Sequence, residues 1–193
     1  MRLRALEQKD AERMLSWMHD SAVVDKLQTN FARKTIDDCK NFINNSQDEE
    51  NIHLAIVDND DQYMGTVSLK HITKLTAEFA IALCKDAMGK GYSLWAMNEI
   101  IKLGFQKYGI SHIYWCVAPN NIRALRFYDK NQFPQIEVDE IRIISGYTKE
   151  QIDSYIWYQI NLSQFVNILG NDGISDWICN GNDKYIKDVH RNA

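Results

Sequence analysis

Ala77-Glu78-Phe79-Ala80-Ile81-Ala82-Leu83-Cys84-Lys85-Asp86-Ala87-Met88-Gly89-Lys90-Gly91-Tyr92-Ser93-Leu94-Trp95-Ala96-Met97 is the stretch whose reading decides the fold. An apolar run that suits a strand, Ala77 to Cys84, gives way to a loop carrying Gly89-Lys90-Gly91. The loop opens into a long segment of helical periodicity, Tyr92 to about Tyr108, with Leu94, Met97, Ile101, Leu103 and Phe105 as its apolar faces. A helix start has N–H groups without intrahelical partners and a partial positive charge, so glycines delivered there make a seat for an anion. The dinucleotide fingerprint would need glycine at Leu94, and a Walker loop would need Gly-Lys followed by Ser or Thr. Neither is present, so a phosphate held here belongs to another kind of ligand.

Downstream, His112 to Val117 is a further strand, so strand, helix and strand form a right-handed crossover with parallel strands. Ala118-Pro119-Asn120-Asn121 breaks it, and Asn121 can cap a helix over Ile122 to Lys130 that presents Ala124, Leu125 and Tyr128. Strands are expected over Ile136 to Ile144 and Tyr155 to Leu162, with a helical turn at Thr148 to Gln151 between them, then a short helix to Leu169. Residues 170–193 are polar with scattered Ile174, Trp177, Ile178, Tyr185 and Ile186. They read as an extension of a domain spanning 1–169, docked in part or reaching a partner chain, which leaves room for a homodimer.

Upstream, Arg2 to Leu6 alternates as a half-buried strand does. Asp10 can cap a helix to about His19 with Ala11, Met14, Leu15 and Met18 on one face and Trp17 beside it. Trp17 suits either the core or the mouth of a substrate site. Thr35-Ile36-Asp37-Asp38 reads as a capping box opening a helix to about Asn45. Ile52 to Val57 and Gln62 to Leu69 are strands joined by Asp58-Asn59-Asp60-Asp61, and so short a turn makes them antiparallel.

The chain has 193 residues and net charge −4, which gives one domain with a full core and no electrostatic case for nucleic acid. No apolar run reaches the roughly 20 residues that span a bilayer. Met1-Arg2-Leu3-Arg4-Ala5-Leu6-Glu7 turns acidic too soon for a signal peptide, so the expected compartment is the cytoplasm. Cys39, Cys84, Cys116 and Cys179 make no closely spaced pair, and no two histidines lie four apart on a helix, so no metal is expected. Cys84 and Cys116 fall in strand-like runs as small buried apolar residues.

Glu78 on a strand, Gly89-Lys90-Gly91 opening a helix, and Asn121-Ile122-Arg123-Ala124-Leu125-Arg126-Phe127-Tyr128-Asp129-Lys130 with Phe133 after the next strand together resemble the GNAT family of N-acetyltransferases. The resemblance spans about residues 1 to 162. It is closest to the branch acting on ribosomal-protein N-termini, polyamines and amino-sugar nucleotides. It implies an α/β fold: a mixed, mostly antiparallel central sheet of six to seven strands with a splayed parallel pair, and helices on both faces. Two positions depart from the family's pattern. Asp86 stands where the family has Gln or Arg, and Gln132 replaces the glycine before Phe133.

The implied cosubstrate is acetyl-CoA, with the acetyl group passed to a primary amine in a ternary complex. Ile81 and Leu83 would pair their backbone with the pantetheine arm, Met88, Gly89, Lys90, Gly91, Tyr92 and Ser93 would turn their N–H groups to the pyrophosphate, and Asn121 would bond the pantetheine. Tyr128 would be the general acid for the thiolate, and it lies within the cofactor site. An alkyl amine with a pKa near 10.4 must lose a proton before it attacks. Glu78, an acid in an apolar strand whose pKa burial should raise, is the candidate base. Trp17 and Glu78 would border the acceptor. Trp17-Met18-His19-Asp20 followed by Val23-Val24 looks like the same region in enzymes acting on amino-sugar nucleotides, while Asp20 and Asp25 would suit a polyamine. A protein N-terminal amine is the alternative acceptor, and a non-catalytic acyl-CoA sensor or assembly module of the same fold is the alternative function.

Overall fold

A computed structural model describes residues 1–27, 29–137 and 147–169. Two compact units divide the chain, the first running from Met1 to Ile110 and the second starting at Ser111. Cys179, residues 170–193 and most of the strand expected over 136–144 lie outside the described residues.

In the first unit, β1 (Arg2–Ala5), β2 (Ile52–Val57), β3 (Tyr63–Lys70) and β4 (Thr76–Leu83) pair in sequence order, each antiparallel to the next. The acidic turn between β2 and β3 is locked by Asp58, whose Oδ1 accepts from the N–H of Asp60 and of Gln62. Around the sheet stand α1 (Ala11–Met18), the single turn α2 (Ser21–Val24), α3 (Ile36–Asn44) and α4 (Tyr92–Lys107).

The α3 start is the capping box read from Thr35 and Asp38. The Thr35 hydroxyl accepts from the Asp38 N–H at 3.2 Å, and the Asp38 carboxylate accepts from the Thr35 N–H at 2.8 Å. Asp10 behaves differently from expectation. Its carboxylate does not cap α1: it is buried in a bidentate pair with Arg4 at 2.7 and 2.8 Å and accepts from the Glu7 N–H, which closes the single turn before α1. An ion pair 2% and 6% exposed outweighs a cap there.

Side-chain alternation sorts this sheet into two faces. Ala55 and Val57 pack with Met14, Trp17 and Met18 of α1 and with Cys39 and Ile43 of α3. Leu54, Ile56, Val67, Leu69 and Phe79 point the other way, where α4 lies against β3 and β4. The buried face of α4 is Ala96, Met97, Ile100, Ile101, Gly104 and Phe105. Leu94 and Leu103, expected on it, are only half-buried.

In the second unit, β7 (Ile156–Asn161) pairs antiparallel with β5 (His112–Val117) and with the two-residue β6 (Gln135–Ile136). It also carries α5 (Ile122–Lys130), α6 (Lys149–Ser154) and a helix over 162–169, labelled α7. Seven strands are thus described, within the six to seven expected. Among the described residues no helix is long and apolar enough to cross a membrane.

Candidate active site

The loop that ends β4 is built for a close backbone approach. Gly89 and Gly91 take φ of 75° and 86°, left-handed conformations that a side chain disfavours, and Gly91 is the residue at which α4 begins. A Cβ placed at either would meet nothing within 4 Å, so both face open space. Among the described residues, the N–H groups of Gly89, Lys90, Gly91, Tyr92 and Ser93 donate to no protein acceptor. Five unpaired amides at the start of a sixteen-residue helix fit a pyrophosphate. Met88, named with them from the sequence, stands apart: its N–H donates to the Lys85 carbonyl and its side chain packs on the core.

Asp86 would set an acid beside that seat, but Arg13 of α1 takes it up. Arg13 donates one guanidinium N–H to Asp86 Oδ2 at 2.8 Å and another to the Tyr63 carbonyl at 2.7 Å. The Arg13 hydrogen bond holds the Asp86 carboxyl below its ordinary range, so it is ionised and already neutralised. Sequence reading missed Arg13. The signal available was a single cation on the exposed side of the first helix, which only the tertiary contact pairs with Asp86.

Arg13, Ser16, Trp17, Asp20, Cys84, Lys85 and Asp86 line a cavity of about 320 Å³. Trp17 is both core and wall: it is 5% exposed, its ring stands edge-on to Phe31, and its Nε1 donates to the Tyr63 hydroxyl at 3.1 Å. Burial pushes the Cys84 thiol up to about 11, so it stays protonated near neutral pH and is a poor nucleophile.

Along β4 the backbone opens towards the loop. Ala77 to Phe79 are buried, whereas Ala80, Ile81 and Ala82 are half-exposed, and β3 takes one edge of the strand through Val67↔Ile81 and Gly65↔Leu83. Glu78 is 4% exposed, not solvent-facing, and it is not alone there. Lys70, its cross-strand partner, donates to Oε1 at 2.8 Å, and His71 Nδ1 lies 3.1 Å from Oε2. Neither residue was singled out from the sequence. Counting back across the hairpin from Glu78 would have found Lys70.

In the second unit, Asn121 caps α5 by accepting from the Ala124 N–H at 3.3 Å. Tyr128 of α5 is buried among aromatic rings, with centroids of Tyr158, Phe127 and Trp115 at 5.0, 5.1 and 5.3 Å. Burial raises its pKa above the ordinary value. Its hydroxyl makes no hydrogen bond to any of the described residues. Gln132 takes φ of 59°, the left-handed position that ends α5, with Gln132 N–H on the Asp129 carbonyl and Phe133 N–H on the Tyr128 carbonyl. That geometry accounts for the family's glycine there.

A family model described as an acetyltransferase (GNAT) domain matches residues 1–134. The chain belongs to the GNAT acetyltransferase family. Acetyltransferase PseH of Campylobacter jejuni subsp. jejuni serotype O:2 is 30% identical to this GNAT chain over 99 residues, 51% of the chain and 62% of that protein. PseH of serotype O:23/36 of the same subspecies is 23% identical over 135 residues, covering 70% and 83%. The chain therefore spans under two thirds of the first of these relatives. Among solved structures, spermidine N-acetyltransferase from Vibrio cholerae in complex with CoA and spermine superposes with a TM-score of 0.69 at 22% identity, covering 85% of the GNAT chain and 96% of its own. A GNAT-family acetyltransferase from Bacillus anthracis gives 0.63 at 22% identity, covering 82% and 93%. Likeness at this identity shows a shared fold, and the α/β fold class expected from the sequence is borne out.

Proposed function

We propose that this GNAT chain transfers the acetyl group of acetyl-CoA to a primary amine of a small molecule, directly and in a ternary complex. The observation that carries the reading is the run of unpaired amides from Gly89 to Ser93 beside open space at Gly89 and Gly91. Acetyl-CoA supplies the acetyl group as a thioester. Gly89, Lys90, Gly91, Tyr92 and Ser93 would hold its pyrophosphate, and Ile81, Leu83 and Asn121 its pantetheine arm. Residues 1–169 would form the acetyltransferase domain, 170–193 an extension of it, and the cytoplasm its compartment.

Tyr128 is proposed to protonate the departing thiolate. A buried phenol keeps its proton at rest, so it is a proton donor held ready for a thiolate formed beside it. Glu78 is proposed to supply the negative charge on which deprotonation of the amine depends. Trp17 would border the end of the acceptor remote from its amine, in the cavity beside Arg13, Lys85 and Asp20. An aromatic wall with two basic side chains favours an amino sugar attached to a nucleotide. Asp20 on the same wall favours a polyamine, and spermine is what the Vibrio cholerae enzyme holds. Asp86 neutralised by Arg13 and Gln132 in a helix-ending turn answer two of the three sequence grounds for a non-catalytic sensor; the third, the extension after Gly170, lies outside the described residues.

The test is thermal melting with and without acetyl-CoA, then thiol release with amino-sugar nucleotides, polyamines and an N-terminal peptide. A melting rise and release with one small-amine class are expected. A rise with no release on any amine would return the sensor reading, and release with the peptide alone would move the acceptor. Tyr128→Phe should lower turnover by about 10²-fold or more while acetyl-CoA binding is kept. Unchanged turnover removes Tyr128 from the chemistry.

A further inference from the structure

Three ionisable side chains meet where β3 turns into β4, and their geometry divides the labour differently from a lone base. Glu78 has both oxygens engaged, Oε1 by the Lys70 ammonium at 2.8 Å and Oε2 by His71 at 3.1 Å, and its side chain is 5% exposed. The His71 side chain is 39% exposed, and its Nε2 carries no hydrogen bond among the described residues. An ionised carboxylate can only accept, so the ring nitrogen facing it is the donor and the basic lone pair falls on Nε2. His71 also sits at φ 50°, a left-handed conformation unfavourable for a residue with a Cβ, and its N–H is steadied by Asn51 Oδ1 at 3.4 Å.

We propose that His71 Nε2, not Glu78, takes the proton from the acceptor amine, with Glu78 orienting the imidazole and stabilising the imidazolium. Lys70 offsets the remaining charge of the carboxylate. The proposal rests on the acetyltransferase reading above. Alternation puts Glu78, Ala80 and Ala82 on one face of β4, where Ala80, half-exposed and ending at a single carbon, is the neighbour of Glu78 on that face and Ala82 packs on the α1 core. An acceptor entering as an ammonium gives one proton to Nε2. Its nitrogen then bonds to the acetyl carbon and the carbon–sulfur bond breaks. The thiolate takes the proton proposed to come from Tyr128, the second ammonium proton replaces it on that hydroxyl, and the first leaves His71 for solvent.

The ligand-free full chain gives the first test. Nitrogen-15 spectra of the imidazoles, with His71 assigned by its loss in His71→Gln, should show His71 protonated at Nδ1 with a pyridine-like Nε2. A resting tautomer protonated at Nε2 overturns the proposal. The second test uses thiol release with spermidine and with amino-sugar nucleotides as probes. His71→Ala should fold as the parent does, lose about 10²-fold or more in kcat with KM for acetyl-CoA unchanged, and regain part of the loss when imidazole is added. Parent-like turnover, or a loss that imidazole does not relieve, overturns it. Should the parent release no thiol with any probe, the acetyltransferase reading is what has failed, and the tautomer still decides the His71–Glu78 arrangement.

Discussion

The two faces of the first-unit sheet are built from the same four strands and could hardly differ more in chemistry. The face towards α4 is apolar throughout: Leu54, Ile56, Val67, Leu69, Phe79 and Leu83 are all under 10% exposed. The face towards α1 and α3 carries His53, Tyr63, Thr66, Ser68, Lys70 and Glu78 among its apolar residues, and each is paired. His53 Nδ1 lies 2.7 Å from the Ser68 hydroxyl, the Tyr63 and Thr66 hydroxyls are 2.7 Å apart, and Lys70 meets Glu78. A buried polar group left without a partner costs about 1–3 kcal/mol, and a satisfied neutral pair contributes about 0.5–1.5 kcal/mol net. The α4 face shows that this chain can fill such a surface with aliphatic side chains. This face packs a core of its own through Ala55 and Val57 against α1 and α3, so the polar row beside that core is where the proposed chemistry would draw its groups.

If that division holds, substitutions on the two faces should separate activity from folding. Glu78→Gln should have the largest effect, a loss of about 10²-fold or more in thiol release, because a neutral amide cannot stabilise an imidazolium or receive a proton. Its melting temperature should move less than that of the α4-face variant below, since Lys70 and His71 both reach solvent. Parent-like turnover would break the comparison. Ile100→Ala, at a fully buried position, should destabilise the fold by about 2–5 kcal/mol in urea titration while turnover per folded molecule is kept. A turnover loss matching that of Glu78→Gln would show that the α4 face is not merely structural.

The polar face should also give the stability a pH dependence. Burial, with the nearby Lys70 charge adding to it, lowers the His53 pKa to about 4 from an ordinary 6.5. Between those values the unfolded chain binds the proton more readily, so stability is fully present above about pH 6.5 and is lost as pH falls towards 4. The loss is bounded at roughly 3 kcal/mol by 1.36 kcal/mol per unit of pKa. Urea titrations of the parent and His53→Gln across that window should diverge, the parent falling more steeply. Parallel curves would free His53 from the account.

Local signals were readable from residues and distant pairings were not. The bounds of α5 and β5, the Thr35–Asp38 box and the Gly89-Lys90-Gly91 helix start are set within a few residues of themselves, and sequence reading found them. The Arg4–Asp10 pair, the Arg13–Asp86 pair and the Lys70–Glu78–His71 cluster depend on strand register or on helix placement. Asp10 misled because Asp is a good cap when nothing stronger competes, and a buried guanidinium is stronger. His71 was hidden for another reason: nothing in the residue itself marks a left-handed turn or a carboxylate behind it.

The smallest predicted effect sharpens the comparison because it can be run at two places. Gln132 and His71 both carry a Cβ at left-handed φ, 59° and 50°. A non-glycine residue there is strained by about 1–2 kcal/mol, part of which a glycine gives back through its larger unfolded-state entropy. Gln132→Gly should therefore raise unfolding stability by about 0.5–1 kcal/mol and leave thiol release as it was. His71→Gly relieves the same kind of strain and should stabilise by a similar amount, yet turnover should collapse. If both glycines stabilise and both keep activity, the conformation of His71 is only an irregular turn. If one stabilises silently and the other stabilises at the expense of turnover, the strain at His71 is retained because the imidazole is needed there.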